Sequence, residues 1–71
     1  MIKVGQIYEQ PNGEVYVITC IDEDGNVHII YKDGYTASYR FEKLNSIAFD
    51  KMLSECLTWR DAIIKLEEYE E

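Results

Sequence analysis

The sequence has few of the residues that usually build catalytic and metal sites. Its 71 residues include one histidine and two cysteines. Cys20 and Cys56 do not form a C-x-x-C pair, so the spacing that is typical of zinc and dithiol redox sites is missing. His28 has no serine or cysteine nucleophile at a recognisable spacing, which argues against a catalytic triad. We therefore expect a protein that is not an enzyme and has no catalytic residue, no metal site and no cofactor.

Long apolar runs and a targeting segment are also missing. No apolar stretch approaches the ~20 residues that a membrane-spanning helix needs. The chain begins with a strand-like pattern and not with a positively charged and apolar leader. These absences predict a cytoplasmic protein, in which the two cysteines are reduced and serve as small buried hydrophobic residues.

Basic residues are scarce. Seven Lys and Arg residues against fourteen Asp and Glu residues give a formal net charge of −7. Nucleic-acid binding draws its non-specific affinity from basic residues that neutralise phosphates, and anionic membranes attract basic segments as well. We therefore expect no direct binding of nucleic acid and no membrane binding. The acidic surface either only keeps the protein soluble or binds a basic surface on another protein.

Four β-rich segments separated by short turns make up the first 40 residues. Asn12-Gly13 and Asp33-Gly34 favour tight hairpin turns, because these residue pairs adopt the positive φ angles that such turns need. A third turn contains Gly25. The second β-rich segment has apolar residues on both faces, which indicates a strand that is covered on both sides. The pattern predicts an antiparallel meander with strands at residues 4–9, 14–21, 27–32 and 35–40.

The segment that follows the meander is ambiguous. Residues 41–44 lack strand alternation and predict a single helical or 3₁₀ turn. For residues 46–56 the apolar spacing favours a helix, whereas a fifth strand at residues 51–55 would pair with the first strand and close a small barrel. Closure would remove the exposed edges that an open sheet leaves. We favour the strand.

A C-terminal helix is predicted at about residues 58–68. Thr58 can cap its first turn, which contains Asp61. The apolar residues recur with helical spacing and form one stripe: Trp59, Ala62, Ile63 and Leu66. We expect Trp59, which opens this stripe, to anchor the helix in the barrel.

Three segments carry a resemblance to known proteins. They are VGQIYE at residues 4–9, VYVITCIDEDG at 15–25 and SECLTWRDAI at 54–63. Residues 58–62 match a TWQEA-type helix start, and Leu57 stands where a proline is usual. With these segments the chain resembles an SH3-like barrel, and more specifically small uncharacterised proteins that are encoded by phages and prophages of Gram-positive bacteria.

The resemblance implies a mainly β (α+β) fold. It implies one SH3-like domain over residues 1–71, in which an antiparallel barrel of four to five strands at about 3–56 precedes the C-terminal helix at about 58–68. It also implies a phage or prophage protein in the host bacterial cytoplasm, and it supplies no catalytic residues.

Tyrosine is the one residue type in surplus. Of six tyrosines, five fall on the predicted strands. Tyrosine buries a large area at low entropic cost and still forms hydrogen bonds, which suits binding surfaces. Tyr35 and Tyr39 share one face of the fourth strand and flank Ala37, a pattern that is consistent with a shallow groove. We predict Tyr35, Tyr39 and Tyr16 as partner-binding residues; the alternative is that cross-strand tyrosine pairs only stabilise the sheet.

These observations predict a small acidic protein-interaction module, a monomer or homodimer that binds a protein partner. The alternative is an inhibitor that mimics nucleic-acid phosphates and blocks a host nucleic-acid-binding or defence protein. A mimic needs its acidic side chains in rows on one continuous face, so the placement of the carboxylates distinguishes the two hypotheses.

Overall fold

The fold is mainly β with one C-terminal helix. A computed structural model of the chain describes residues 2–40 and 50–69. These residues form five strands and one helix, namely β1 (Gln6–Glu9), β2 (Val15–Ile21), β3 (Asn26–Tyr31), β4 (Thr36–Arg40), β5 (Lys51–Glu55) and α1 (Trp59–Leu66). The single turn that the sequence predicts at residues 41–44 lies outside the described residues.

The five strands form one antiparallel sheet in the order β4-β3-β2-β1-β5. The pairing of β5 with β1 confirms the predicted strand at residues 51–55. Closure of a barrel requires a ladder of hydrogen bonds between the first and last strands of the sheet. In the described part of the chain, β4 and β5 lie at opposite edges and do not pair, so the expected closed barrel is not observed.

A β-bulge in β2 changes which side chains face each side of the sheet. Ile18 pairs with Ile29, and the next pair joins Cys20 to His28, so Thr19 is an extra residue in β2. An extra residue shifts the alternation by one position. Cys20 therefore lies on the opposite face from Ile18, whereas strict alternation had placed the two residues together. Cys20 is also exposed, which corrects the expectation that both cysteines are buried.

Buried residues lie on both faces of the sheet. One face, which we call the tyrosine face, has a buried cluster made of Tyr8, Tyr16, Ile18, Val27 and Ile29. On the other face, the helix face, Ile7, Val15 and Val17 pack against Ala62 and Leu66 of α1. The helix contacts mainly β2 and β1. This position leaves most of the β3–β4 side of the helix face open, although Ile30 of β3 still packs against the cluster.

At the start of α1, the structure confirms the predicted Thr58 cap but not the predicted anchoring role of Trp59. The Thr58 hydroxyl accepts a hydrogen bond from the Asp61 amide at 3.1 Å, as predicted. Trp59 is 40% exposed, and the Arg60 guanidinium lies 5.3 Å from the centre of its ring. The buried contacts of the helix begin at Ala62, almost one turn later, so Trp59 lies at the end of the interface and does not anchor the helix in the sheet.

Candidate protein-binding surface

A row of tyrosines crosses the tyrosine face from β1 to the end of β3. Tyr8 pairs with Tyr16, and Tyr16 pairs with Tyr31, so the three side chains are neighbours in register. Ring centres are 5.8 Å apart in each of these two contacts, and 6.1 Å separate Tyr31 from Tyr35. Aromatic pairs at such distances contribute about 0.5–1.5 kcal/mol beyond the burial of their area. The row thus extends from the sheet interior to the β3–β4 turn.

Tyr16 forms the buried centre of this row and does not reach the surface. It is 1% exposed, and its hydroxyl donates a hydrogen bond to Asp50 Oδ2 at 2.6 Å. Burial and the Asp50 carboxylate both raise the pKa of Tyr16 well above its ordinary value. Tyr16, which the sequence predicted as a partner-binding residue, is therefore placed in the core and not on the exposed surface. Its strand β2 is the central strand of the sheet, so neighbours on both sides cover the ring.

The β1 end of the row is fixed by a polar cluster. The Tyr8 hydroxyl donates to Gln6 Oε1 at 2.8 Å, and Gln6 Nε2 donates to Glu55 at 2.8 Å. Gln6 Oε1 also accepts a hydrogen bond from the Lys3 amide at 2.8 Å. Burial, followed by the charges of Glu55 and Asp50, raises the pKa of Tyr8. These contacts hold the buried glutamine and tyrosine in place, so this end of the row is structural.

The β3–β4 end of the row is open to solvent. Tyr35 is 67% exposed, whereas Tyr31, Ala37 and Tyr39 are half-buried. The Tyr31 and Tyr39 hydroxyls lie 3.5 Å apart, and Gln10 Nε2 donates to the Tyr31 hydroxyl at 2.9 Å. We call the group of Tyr31, Tyr35, Ala37 and Tyr39 the tyrosine surface.

The tyrosine surface is held in shape by its own contacts. Burial and the contact with Tyr39 raise the pKa of Tyr31 to about 12. The amide of Tyr35 donates to Asp33 Oδ1 at 2.9 Å, which fixes the backbone of the exposed tyrosine. Two of the three predicted partner-binding residues, Tyr35 and Tyr39, thus belong to one ordered surface.

The acidic side chains are divided between the two ends of the sheet. Successive turns of a meander lie at alternate ends, so the turn at residues 22–25 is at the opposite end from Glu14 and Asp33. Other carboxylates bind side chains of the sheet: Asp50 accepts from Tyr16, and Glu55 accepts from Gln6. The described acids therefore do not form one continuous row.

A polar pair lies on the part of the helix face that α1 leaves open. His28 Nε2 is 3.1 Å from Asp22 Oδ2. Bonds from the Asn26 backbone and from His28 hold the pKa of Asp22 below its ordinary range. An open cavity of about 340 Å³ adjoins the ring, with walls formed by Thr19, His28, Ile29, Thr36, Ala37 and Ser38.

This polar pair has no nucleophile hydrogen-bonded to it. Cys20 and Ser38 are the register neighbours of His28 on the two adjacent strands. Within the described residues, neither side chain forms a hydrogen bond with the imidazole. The arrangement is that of a histidine on a strand surface, and among the described residues a nucleophile–base pair is not formed.

Sequence reasoning missed a second exposed apolar group, at the start of α1. Leu57 is 99% exposed and precedes the half-exposed Trp59 by two residues. A cavity of about 250 Å³ lies beside Leu57, with walls that include Lys3 and Val4. The departure from the usual proline at position 57 was the only signal for this group in the sequence.

Other classes of site are not found in the described part of the chain. No three His, Cys, Asp or Glu residues there come close enough to hold a metal ion. Among the described helices, none has the length and apolar character to cross a bilayer. Comparisons of the chain with family models, with curated proteins and with solved structures found no match.

Proposed function

We propose that this protein is a non-enzymatic protein-interaction module that binds its partner through the tyrosine surface. The observation that carries the proposal is the exposure of Tyr35 at the end of an ordered row of tyrosines. Protein-binding surfaces are enriched in tyrosine, because its large rigid ring loses little entropy on binding. The tyrosine surface combines an exposed ring with the half-buried Tyr39 and the small Ala37 between them, which favours a shallow contact with another protein.

The placement of the acids favours this function over that of a nucleic-acid mimic. A mimic presents carboxylates at regular intervals, as phosphates are in a duplex. The described carboxylates lie at both ends of the sheet and on or just after α1, and Asp50 and Glu55 are occupied by contacts with the protein's own side chains. The net charge of −7 instead favours a partner with a basic surface around the contact.

We also propose a phage or prophage origin and an SH3-like fold type for this protein. The segments at residues 4–9, 15–25 and 54–63 support a phage or prophage protein that acts in the host bacterial cytoplasm. Five short antiparallel strands followed by a helix are consistent with an open form of the SH3-like barrel.

The test is capture of partners on immobilised protein from a lysate of a Gram-positive bacterium. We expect Tyr35→Ala to reduce the capture of a specific partner about tenfold or more, since loss of a central tyrosine commonly costs over ~1.4 kcal/mol of binding energy. Ile64→Ala is the matched control, because Ile64 is equally exposed (69%) but lies on α1. The control is expected to retain the partner.

Three outcomes would contradict the proposal. Equal capture by wild type and Tyr35→Ala would exclude the tyrosine surface, and loss on Leu57→Ala alone would transfer the site to the start of α1. Release of every captured protein by about 0.5 M NaCl would favour the mimic, because screening weakens contacts made by exposed charges.

A further inference from the structure

The two edge strands of the sheet differ in how they are protected from pairing. Bulges and charged side chains discourage the addition of a further strand to an edge. β5 has both features: its register with β1 shifts between Ser54 and Met52, and its ends carry Lys51 and Glu55. β4 pairs with β3 through five consecutive residue pairs without a shift, and Arg40 is its only charged residue. Among the described residues, the edge at β4 is therefore the one that lacks both features.

Hydrogen-bonded and non-hydrogen-bonded pairs alternate in an antiparallel ladder. This alternation determines which backbone groups of β4 point towards β3 and which point away from it. The Tyr31 amide donates to the Tyr35 carbonyl oxygen at 2.7 Å, so this pair is hydrogen-bonded. Every second pair from there is also hydrogen-bonded, so the backbone groups of Ala37 and Tyr39 point towards β3 as well. The backbone N–H and C=O groups that point away from β3 belong to Thr36, Ser38 and Arg40.

We infer that β4 pairs with β4 of a second copy of this chain, antiparallel and centred on Ser38. This register places Ser38 opposite Ser38 and Thr36 opposite Arg40, so all three outward residues on each copy form hydrogen-bonded pairs. A shift by two residues in either direction leaves one outward residue of each β4 strand without a partner on the other β4 strand. The symmetric register is thus the one that satisfies the whole edge.

The side chains fit the same register. Ala37 of one copy lies opposite Tyr39 of the other, and the relation occurs twice because the interface is symmetric. These are non-hydrogen-bonded pairs, in which side chains approach most closely, so a small residue faces a large one where space is least. The two-fold axis is perpendicular to the sheet, and the tyrosine surfaces of both copies therefore join on one side of a ten-stranded sheet.

Charge and size determine the strength of this pairing. Each copy carries a net charge of −7, but β4 contains no carboxylate. Five residues per copy bury less than the ~1,200 Å² of a typical stable interface, so the dimer is weak and depends on concentration. Salt screens the repulsion between the two acidic bodies and strengthens the dimer. The inference goes beyond the proposed function, because it concerns purified protein without any partner.

Disulfide trapping tests the register. The experiment uses a Cys20→Ser background, which removes the exposed native thiol. In the proposed dimer, Ser38→Cys places one cysteine on each copy with their Cα atoms about 5.5 Å apart, a distance that a disulfide can span. Thr36→Cys is the matched control on the same exposed strand, since its two copies would be roughly 14 Å apart. We expect a covalent dimer through Cys at position 38 and almost none through position 36. Equal trapping at both positions, or at neither, overturns the inference.

Sedimentation equilibrium gives a second, independent result. The average mass of the wild type is expected to rise from 8.3 kDa towards twice that value as concentration increases, and more steeply in about 0.5 M NaCl than in about 0.05 M. Ser38→Pro removes an outward N–H, a position where an edge strand tolerates proline. It is expected to stay folded and monomeric. A wild type that is monomeric at about 1 mM in both salts contradicts the inference, whether or not a partner protein binds the tyrosine surface.

Discussion

Tyr16 illustrates at the scale of one residue how the same side chain can serve a core or a surface. Its ring is covered by neighbours in the central part of the sheet, and its hydroxyl is satisfied by Asp50. A buried hydroxyl without a partner costs about 1–3 kcal/mol, so the carboxylate is as necessary as the apolar contacts. Tyr35 is exposed, and among the described residues its hydroxyl has no hydrogen-bond partner, so the ring is available to another molecule.

Replacement of Tyr16 by phenylalanine tests the structural role of the hydroxyl. We expect Tyr16→Phe to lower the free energy of unfolding by about 1–2 kcal/mol, because the half-buried Asp50 loses its donor but can bind water. Chemical denaturation at pH 7 measures the change. Tyr35→Ala is the comparison variant, and it should lower the free energy of unfolding by about 0.5 kcal/mol, because the exposed ring loses mainly its contact with Tyr31. A loss for Tyr35→Ala as large as that for Tyr16→Phe would contradict these assignments.

Tyr16→Phe is also expected to differ from the wild type in stability at alkaline pH. The unfolded chain releases the Tyr16 proton near pH 10, whereas the raised pKa of Tyr16 keeps the proton bound in the folded state. Below pH ~9 the ionisation of Tyr16 therefore does not change the free energy of unfolding. Above pH ~10 it lowers the free energy of unfolding as the pH rises. We expect Tyr16→Phe to lose less stability than the wild type between about pH 9 and pH 11.

At the scale of elements, Gly5 joins β2 to the segment that leads into α1. Its amide donates to the Ile18 carbonyl oxygen at 2.9 Å, and its own carbonyl oxygen accepts from the Cys56 amide at 2.9 Å. Gly5 has a φ of +93°, and a Cβ atom on it would collide with the Cys56 carbonyl oxygen. Only glycine meets both conditions.

Comparison of two glycine variants separates the collision from the backbone strain. Gly13 in the β1–β2 turn has a similar φ of +91°, but a Cβ atom there would contact nothing. We expect Gly13→Ala to lower the free energy of unfolding by about 1–2 kcal/mol, because alanine is strained in the left-handed conformation. Gly5→Ala is expected to cost at least ~1 kcal/mol more, as a backbone shift would have to accompany the strain. Equal losses in thermal or chemical unfolding would show that the approach to Cys56 is unimportant.

Sequence patterns predicted most elements, and the misses have physical reasons. The turn residues and alternation located β1 to β4 to within two residues at either end, and the predicted cap located the start of α1. The bulge at Thr19 could not be predicted, because alternation assumes one residue per step and β2 has apolar residues on both faces. The exposure of Trp59 was missed because a helical stripe does not reveal where along the helix the contact with the sheet begins.

The candidate site was predicted in part for a related reason. A strand pattern assigns Tyr16, Tyr35 and Tyr39 to a face but does not assign strands to the centre or edge of the sheet. Strand order and strand bounds decide between the two outcomes: β2 is central, which buries Tyr16, whereas Tyr35 lies in the turn before the edge strand β4 and is exposed.

At the scale of the whole molecule, the helix and the open edge occupy different parts of the sheet. α1 packs mainly on β2 and β1, and on the helix face it leaves most of β3 and β4 uncovered. The tyrosine surface lies on the opposite face of the sheet, beside the outward backbone groups of β4. Both proposals depend on this edge being accessible in solution.

Amide hydrogen exchange along β4 tests that accessibility most directly. In dilute protein, where any dimer has dissociated, the amides of Ala37 and Tyr39 donate to β3 and should exchange slowly, whereas the outward amide of Ser38 between them should exchange fast. Protection of the Ser38 amide equal to that of Ala37 and Tyr39 in dilute protein would mean that the edge is already covered, and would contradict the account.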